Sequence, residues 1–244
     1  MLVLINLESA VERRRVMARQ LADFGLAFTR VGVDMRFVPA AEVDAEVDRR
    51  LPGMRFDRKA LSTAEIGCWL SHLTAWHLLL QSDSPSGTVI EDDLVLLPGF
   101  DAAIAAIADR PSIDIVYLGT SSRNVSQRRR IDIAGHAVHE PVGVILNTWG
   151  YNVTREFAAR FLAADHRTIA LPIDHYLGGR GRRARPRIGV LQPTVVREDP
   201  VLGSASQIGP YTHRFDRSRW FERARRRMMA SPVSDLYYSL YRYL

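Results

Sequence analysis

The sequence predicts an α/β fold with a mostly parallel central sheet, and three observations carry that prediction. The first 33 residues read as strand, helix, strand, the unit from which parallel sheets are built. Further short apolar runs, at residues 88–90, 113–120 and 190–196, alternate with stretches of helical periodicity. The 244 residues, 47% hydrophobic and 25% charged, suffice for one substantial core and not for three.

Residues 2–5, LVLI, form a buried strand that stops at Asn6. A helix follows over 9–24, where Ala10, Met17, Ala18, Leu21 and Phe24 recur at helical spacing and Gly25 provides a stop. Residues 28–33 are a second strand running into Asp34, and 36–60, punctuated by Pro39, Pro52 and Gly53, hold short helical pieces in a loop. The stretch LSTAEIGCWLSHLTAWHLLL is the clearest helix. Ser62 and Glu65 have capping-box spacing, Ile66, Trp69, Leu70, Leu73, Trp76, His77 and Leu80 mark an apolar stripe, and Glu65, Cys68 and His72 share another face. A strand at 88–90 ends abruptly in Glu91, Asp92 and Asp93, and a helix over 100–108 leads to the strand in IDIVYLGT. Residues 121–132 are polar and arginine-rich, the composition of an exposed loop, and 136–144 read as an edge strand. A turn and strand at 148–153, a helix over 155–164, a further helix after Pro172 and a last strand over 190–196 complete the body.

Composition narrows the function classes. No apolar stretch approaches the roughly 20 residues needed to cross a bilayer. The start, MLVLINLESAVERRR, places apolar residues before basic ones, the reverse of a secretory signal, so a cytoplasmic location is expected. Cys68 is the single cysteine, which excludes an internal disulfide and a zinc site built on paired thiolates. Of the net charge of +6, five units lie in residues 211–244, which hold eight arginines against three acids. The expected organisation is therefore a body over residues 1–210 and a basic amphipathic tail over 211–244.

The acidic triplet is the strongest single chemical signal. Three consecutive carboxylates repel each other unless a cation or hydrogen-bond donors compensate. Mg²⁺ and Mn²⁺ take oxygen ligands from one or two carboxylates and complete their shells with water and phosphate. In open α/β sheets, ligands bind beyond the carboxyl ends of strands, where this triplet falls. Alternation along the strand sends Glu91 and Asp93 to one side and Asp92 to the other. A solvated acidic turn is the competing reading. Glu65 and His72 read either as a polar binding face or as a structural pair, and His77, on the apolar stripe, as a core histidine. Cys68 has no activating partner beyond His72 and reads as buried and inert rather than as a nucleophile. Asp174, between Pro172 and a new helix, is either a first-turn acid or a lone carboxylate available for chemistry.

Taken together, these segments resemble glycosyltransferase family 25, which includes bacterial lipooligosaccharide galactosyltransferases and is similar to collagen galactosyltransferase domains. The opening INLESAVERR, the block LSTAEIGCWLSH with its Cys and Ser-His, VIEDD, IDIVYLGT, NTWGYNVTREFAARFL, LPIDHYL and LQPTVVREDPVLGSASQIG occur in the family's order, from about residue 2 to 208. Ala64 stands where the family usually has glycine. The resemblance implies a GT-A type, Rossmann-like fold, a nucleotide-sugar donor (a UDP-sugar), and transfer of a hexose, galactose, to a hydroxyl of a cell-envelope glycan or lipid-linked acceptor. It implies that Asn6, Arg13, Asp34, Glu65, His72 and Asp92 contact the donor, that Glu91 and Asp93 hold Mn²⁺ or Mg²⁺, and that Asp174 is the catalytic base.

The tail, with Trp220, Phe221, Met228 and Met229 flanked by Arg219, Arg223, Arg226 and Arg227, has the pattern of a helix lying on the anionic inner face of a membrane. Packing on the body is the other reading. A nucleic-acid or anionic-polymer binding module using these arginines is the alternative function, but the body's charge of about +1 argues against it, and no nucleic-acid partner is expected.

Overall fold

The computed structural model describes residues 1–108, 113–120, 125–133, 135–141, 145, 147–164, 168–180 and 186–203. The basic tail at 211–244, and with it the expected membrane contact, lies outside them. The body, Met1–Ile208, is one compact unit. Its elements are β1 (Leu2–Ile5), α1 (Val11–Asp23), β2 (Thr29–Val31), α2 (Val43–Arg50), α3 (Thr63–Gln81), β3 (Ser86–Glu91), β4 (Leu94–Leu96), α4 (Phe100–Ala108), β5 (Ile115–Tyr117), β6 (Val125–Ile133), β7 (His136–Pro141), β8 (Gly150–Thr154), α5 (Arg155–Leu162), α6 (Ile173–His175, continuing as a wider turn over Tyr176–Arg180), β9 (Ile188–Gln192) and β10 (Val196–Glu198).

Eight strands form one sheet in the order β2-β1-β3-β8-β5-β9-β7-β6. Side chains alternate across it, as a two-residue period requires. Val3, Val89, Ile115, Tyr117 and Val190 enter the core that also holds residues of α2, α3 and α5, while Leu2, Leu4, Ile90, Val116 and Leu191 enter the core that also holds residues of α1 and α4. The result is a sheet with helices on both faces. The α3 helix is the thickest part of the first core, with Trp69, Leu70, Leu73 and Trp76 fully buried. Its start is set by the predicted capping box: Ser62 Oγ accepts from Glu65 N, and Ser62 N donates to Glu65 Oε2 at 2.7 Å.

The expectation of a mostly parallel sheet holds where β1 pairs with β2 and β3, and again where β5 pairs with β9. Elsewhere the sheet is mixed. β8 enters between β3 and β5 antiparallel to both, and β7 is antiparallel to β9 and β6. Within the expected loop at 121–132, the structure has the edge strand β6, so β7 is internal rather than an edge. Strand pairing overrides polar composition there, because an edge needs no second buried face. The expected last strand divides into β9 and β10, the latter forming a small antiparallel ribbon with β4, an element without a sequence signal of its own. His77, expected in the core, is exposed and lies 3.2 Å from Leu73 O, whereas His72 is fully buried.

Two glycines bring backbone segments together at the carboxyl end of the sheet. A Cβ on Gly32 would lie 2.2 Å from Asn6 O, and one on Gly67 would lie 2.7 Å from Val33 O. Gly67 thus lets α3 approach the exit of β2, an approach secured by Ser71 Oγ, which accepts from Val33 N at 2.9 Å and donates to Gly67 O at 2.8 Å. Gly67→Ala is expected to cost about 1–3 kcal/mol in denaturant unfolding, since a backbone oxygen cannot yield as a flexible side chain can. An unchanged midpoint would contradict this close approach.

Candidate active site

A cleft open to solvent, with a cavity volume of about 110 Å³, lies beyond the ends of β1, β2 and β3. Asn6, Arg13, Asp34, Glu91, Asp92 and Asp93 line it, together with Arg36, Ala64, Cys68 and Ser71. Six residues expected to act together therefore meet there, five at or beyond the ends of parallel strands and Arg13 from α1. The apolar run of β1 stops at Asn6 and that of β3 at Glu91.

Asp92 turns toward α1, opposite to Glu91, as strand alternation predicts. Its Oδ2 accepts from Asn6 Nδ2 at 2.7 Å and its Oδ1 from Arg13 Nη1 at 2.9 Å. Arg13 is buried and also donates through Nη2 to Leu202 O at 2.5 Å. Burial pushes the Asp92 carboxyl up against the pull of Asn6 and Arg13. Both oxygens of Asp92 are occupied, so this residue, expected to contact sugar, ties β1, α1 and β3 together. Arg13 stands at the same helical face as the buried Met17 and Leu21, one and two turns on. An arginine on an apolar stripe facing an acidic strand end is the sequence signal for this pair.

Glu91 is held from the other side. Its Oε1 accepts from Thr148 Oγ1 at 2.5 Å and lies 3.4 Å from His72 Nε2. Burial alone would raise its carboxyl, but His72, Thr148 and Arg13 bring it below the usual value. Behind it, His72 Nδ1 is 2.8 Å from Tyr151 OH, which accepts from Trp76 Nε1 at 3.0 Å. With one proton and that acceptor at hand, Tyr151 donates to Nδ1, which leaves the neutral imidazole's proton on Nε2, facing Glu91. Sequence reasoning missed Thr148 and Tyr151, although both stand in the NTWGYN block.

Asp93 is the carboxylate left for chemistry. Arg13 Nη1 is 3.5 Å from its Oδ2, while its buried Oδ1 has no hydrogen-bond partner. Burial, then repulsion from Glu91 and Asp92, pushes its carboxyl up to about 7. Asn6 Oδ1 is likewise buried without a partner. An unpartnered anionic oxygen beside a second carboxylate suits a hard divalent cation.

The remaining expected residues separate. Asp34 lies in the cleft, clasped by Arg36, whose Nε is 2.8 Å from Oδ1 and Nη2 2.5 Å from Oδ2, and this contact holds its carboxyl below the usual range. Glu65 does not line the cleft; its carboxylate is on Ser62 at the start of α3. Asp174 lies outside the lining too, accepting from Asn147 N at 3.4 Å and His175 N at 2.7 Å. Its charge helps to raise the Cys68 thiol and the Tyr117 phenol, after burial in both cases, so its field reaches the core face beneath the cleft. Burial, then the charges of Glu91 and Asp174, raise the Cys68 thiol.

Known proteins resemble this chain. A glycosyltransferase 25 family member of Anopheles gambiae is 29% identical over 188 residues, and procollagen galactosyltransferase 1 of Danio rerio is 28% identical over 184. Each alignment takes in 71% of this chain, which spans about 30% of the length of these curated relatives. The crystal structure of A197 from STIV overlaps 80% of this chain and 82% of its own at 11% identity with a TM-score of 0.41, a likeness too weak to bear on fold or function. The model of the family described as "Glycosyltransferase family 25 (LPS biosynthesis protein)" matches residues 1–177, and with the ordered strand exits and acidic cleft of that same segment, the chain belongs to glycosyltransferase family 25.

Proposed function

We propose that this chain is a metal-dependent glycosyltransferase that moves a hexose, galactose, from a UDP-sugar to a hydroxyl of a cell-envelope glycan such as lipooligosaccharide. The observation that carries the reading is the Asp93 carboxylate, with a buried, unpartnered oxygen, in a cleft at the exits of three adjacent parallel strands. The family description and the galactosyltransferase relatives support the class of reaction. The fold is read as GT-A type on the same family grounds.

Asp93 and Glu91 would hold Mn²⁺ or Mg²⁺, which when bound supplies positive charge to a diphosphate leaving group. Asn6 offers an unpartnered amide oxygen to the nucleotide, and Asp34, kept ionised and oriented by Arg36, accepts from its hydroxyls. His72 and Thr148 orient Glu91, and the Asn6–Asp92–Arg13 group fixes the position of Asp93. In an inverting transfer Asp174 accepts the acceptor hydroxyl's proton as the new glycosidic bond forms and the bond to the phosphate oxygen breaks. Its two backbone N–H contacts hold the carboxylate in place for that role. A membrane-facing acceptor fits the basic tail, and no helix among the described residues is long and apolar enough to cross a bilayer.

The test is release of UDP by the purified chain from UDP-galactose, beside other UDP- and GDP-sugars, with Mn²⁺ or with a chelator, and with glycan acceptors. Metal-dependent turnover greatest with UDP-galactose and an envelope acceptor is expected. Asp174→Asn should then lower turnover by about 10²–10⁴-fold with little change in the Michaelis constant for donor. Equal turnover in chelator, or none with any donor, overturns the reading.

A further inference from the structure

Cys68 and His72 stand one turn apart on α3, so sulfur and imidazole share a helix face that points at the end of β3. Cys68 Sγ, a ring nitrogen of His72 and a carboxylate oxygen of Glu91 lie within 4.8 Å of one another. Independently, His72 Nε2 is fully buried, and its 3.4 Å contact with Glu91 Oε1 falls short of hydrogen-bond geometry. We propose that Cys68, His72 and Glu91 form a binding site for a borderline-soft divalent cation of the Zn²⁺ class, chemically distinct from the hard-cation site on Asp93 with which it shares Glu91.

Ligand type separates the two sites. Thiolate and imidazole select Zn²⁺ or Co²⁺, whereas Mg²⁺ and Mn²⁺ take oxygen. Metal–ligand bonds of about 2.0–2.3 Å place tetrahedral ligand atoms roughly 3.3–3.8 Å apart, so separations within 4.8 Å contract by about 1.5 Å at most. Three protein ligands leave a fourth position, and Cys68 and Glu91 both face the cleft from which it would be filled. The outer shell is in place: a metal-bound Nε2 requires the proton on Nδ1, which then donates to Tyr151 OH, already anchored by Trp76 Nε1. The hydroxyl oxygen's two lone pairs accept both donors. On binding, the Cys68 S–H bond breaks, its proton leaves to solvent and the sulfur–metal bond forms. His72 keeps one proton, transferred from Nε2 to Nδ1, and no electron changes hands. This inference rests on α3 and β3 alone and not on the transferase reading, so it is tested without turnover.

Co²⁺ is the first probe, added to the metal-stripped full chain. The wild type is expected to develop a near-ultraviolet thiolate-to-cobalt charge-transfer band that Zn²⁺ abolishes. Zn²⁺ at a hundred times its dissociation constant should raise the melting temperature by about 5–10 °C. Cys68→Ser, close to isosteric, should lose both band and shift. Should that variant fail to fold, the wild type decides: Zn²⁺ should slow labelling of Cys68 by a thiol reagent tenfold or more, and Mn²⁺ should not. No cobalt–thiolate band, an equal Zn²⁺ shift in Cys68→Ser, or unprotected labelling overturns the site.

Discussion

Asp93→Asn is expected to lower hexose transfer by about 10²–10³-fold while leaving the protein at least as stable as the wild type. The two effects come from one circumstance. Of the three adjacent carboxylates, Asp92 is matched by Asn6 and Arg13, and Glu91 by Thr148 and His72, but Asp93 keeps a buried oxygen without a partner. Burial and the charge of Glu91 both oppose its ionisation, so the folded state carries an uncompensated carboxylate that folding alone would not select. The neutral amide relieves that repulsion and is a poor ligand for a hard cation. Melting curves at pH 8 without metal, beside UDP-release rates with Mn²⁺, read both effects. A variant that melts several degrees lower would make Asp93 an architectural residue, and one that keeps full turnover would remove it from the site.

Asp92→Ala, one residue earlier, is expected to do the reverse in stability, costing about 3–5 kcal/mol. The substitution leaves the Arg13 guanidinium buried between α1 and the sheet and strips Asn6 Nδ2 of its 2.7 Å contact, so β1, α1 and β3 lose their common tie. Asp93, 3.5 Å from Arg13, is then drawn toward it, so turnover falls as well. Urea denaturation measures the loss. The paired change Arg13→Met with Asp92→Leu should recover most of it, because two packed apolar groups need no mutual compensation. If Asp92→Ala unfolds at the wild-type midpoint, the Asn6–Asp92–Arg13 tie contributes nothing.

The contrast between neighbouring aspartates marks how far the sequence was legible. The acidic triplet, its place at a strand end and the opposite facing of Asp92 follow from an apolar run that stops abruptly and from the two-residue period. The capping box at Ser62 and Glu65 is equally local and stands as expected. That same box takes the Glu65 carboxylate away from the cleft, a competition decided within one helical turn. His77, expected in the core, is exposed, because α3 is apolar around most of its circumference and periodicity cannot say which side meets the sheet. The strand β6 and the internal position of β7 escaped notice since strand pairing is a long-range property.

What the chain's residues settled by themselves was local: which segments are helix or strand, where each stops, and which strand ends carry carboxylates, amides or arginines. Resemblance of ordered blocks added the family, which the match over residues 1–177 establishes. Partnership was decided only in three dimensions. Whether a carboxylate is spent on Arg13 or Thr148, or is left with an oxygen that no donor meets, depends on contacts across 57 to 86 positions of sequence. Electrostatic and hydrogen-bond energies fall off over a few ångströms of space, and chain order does not encode that distance.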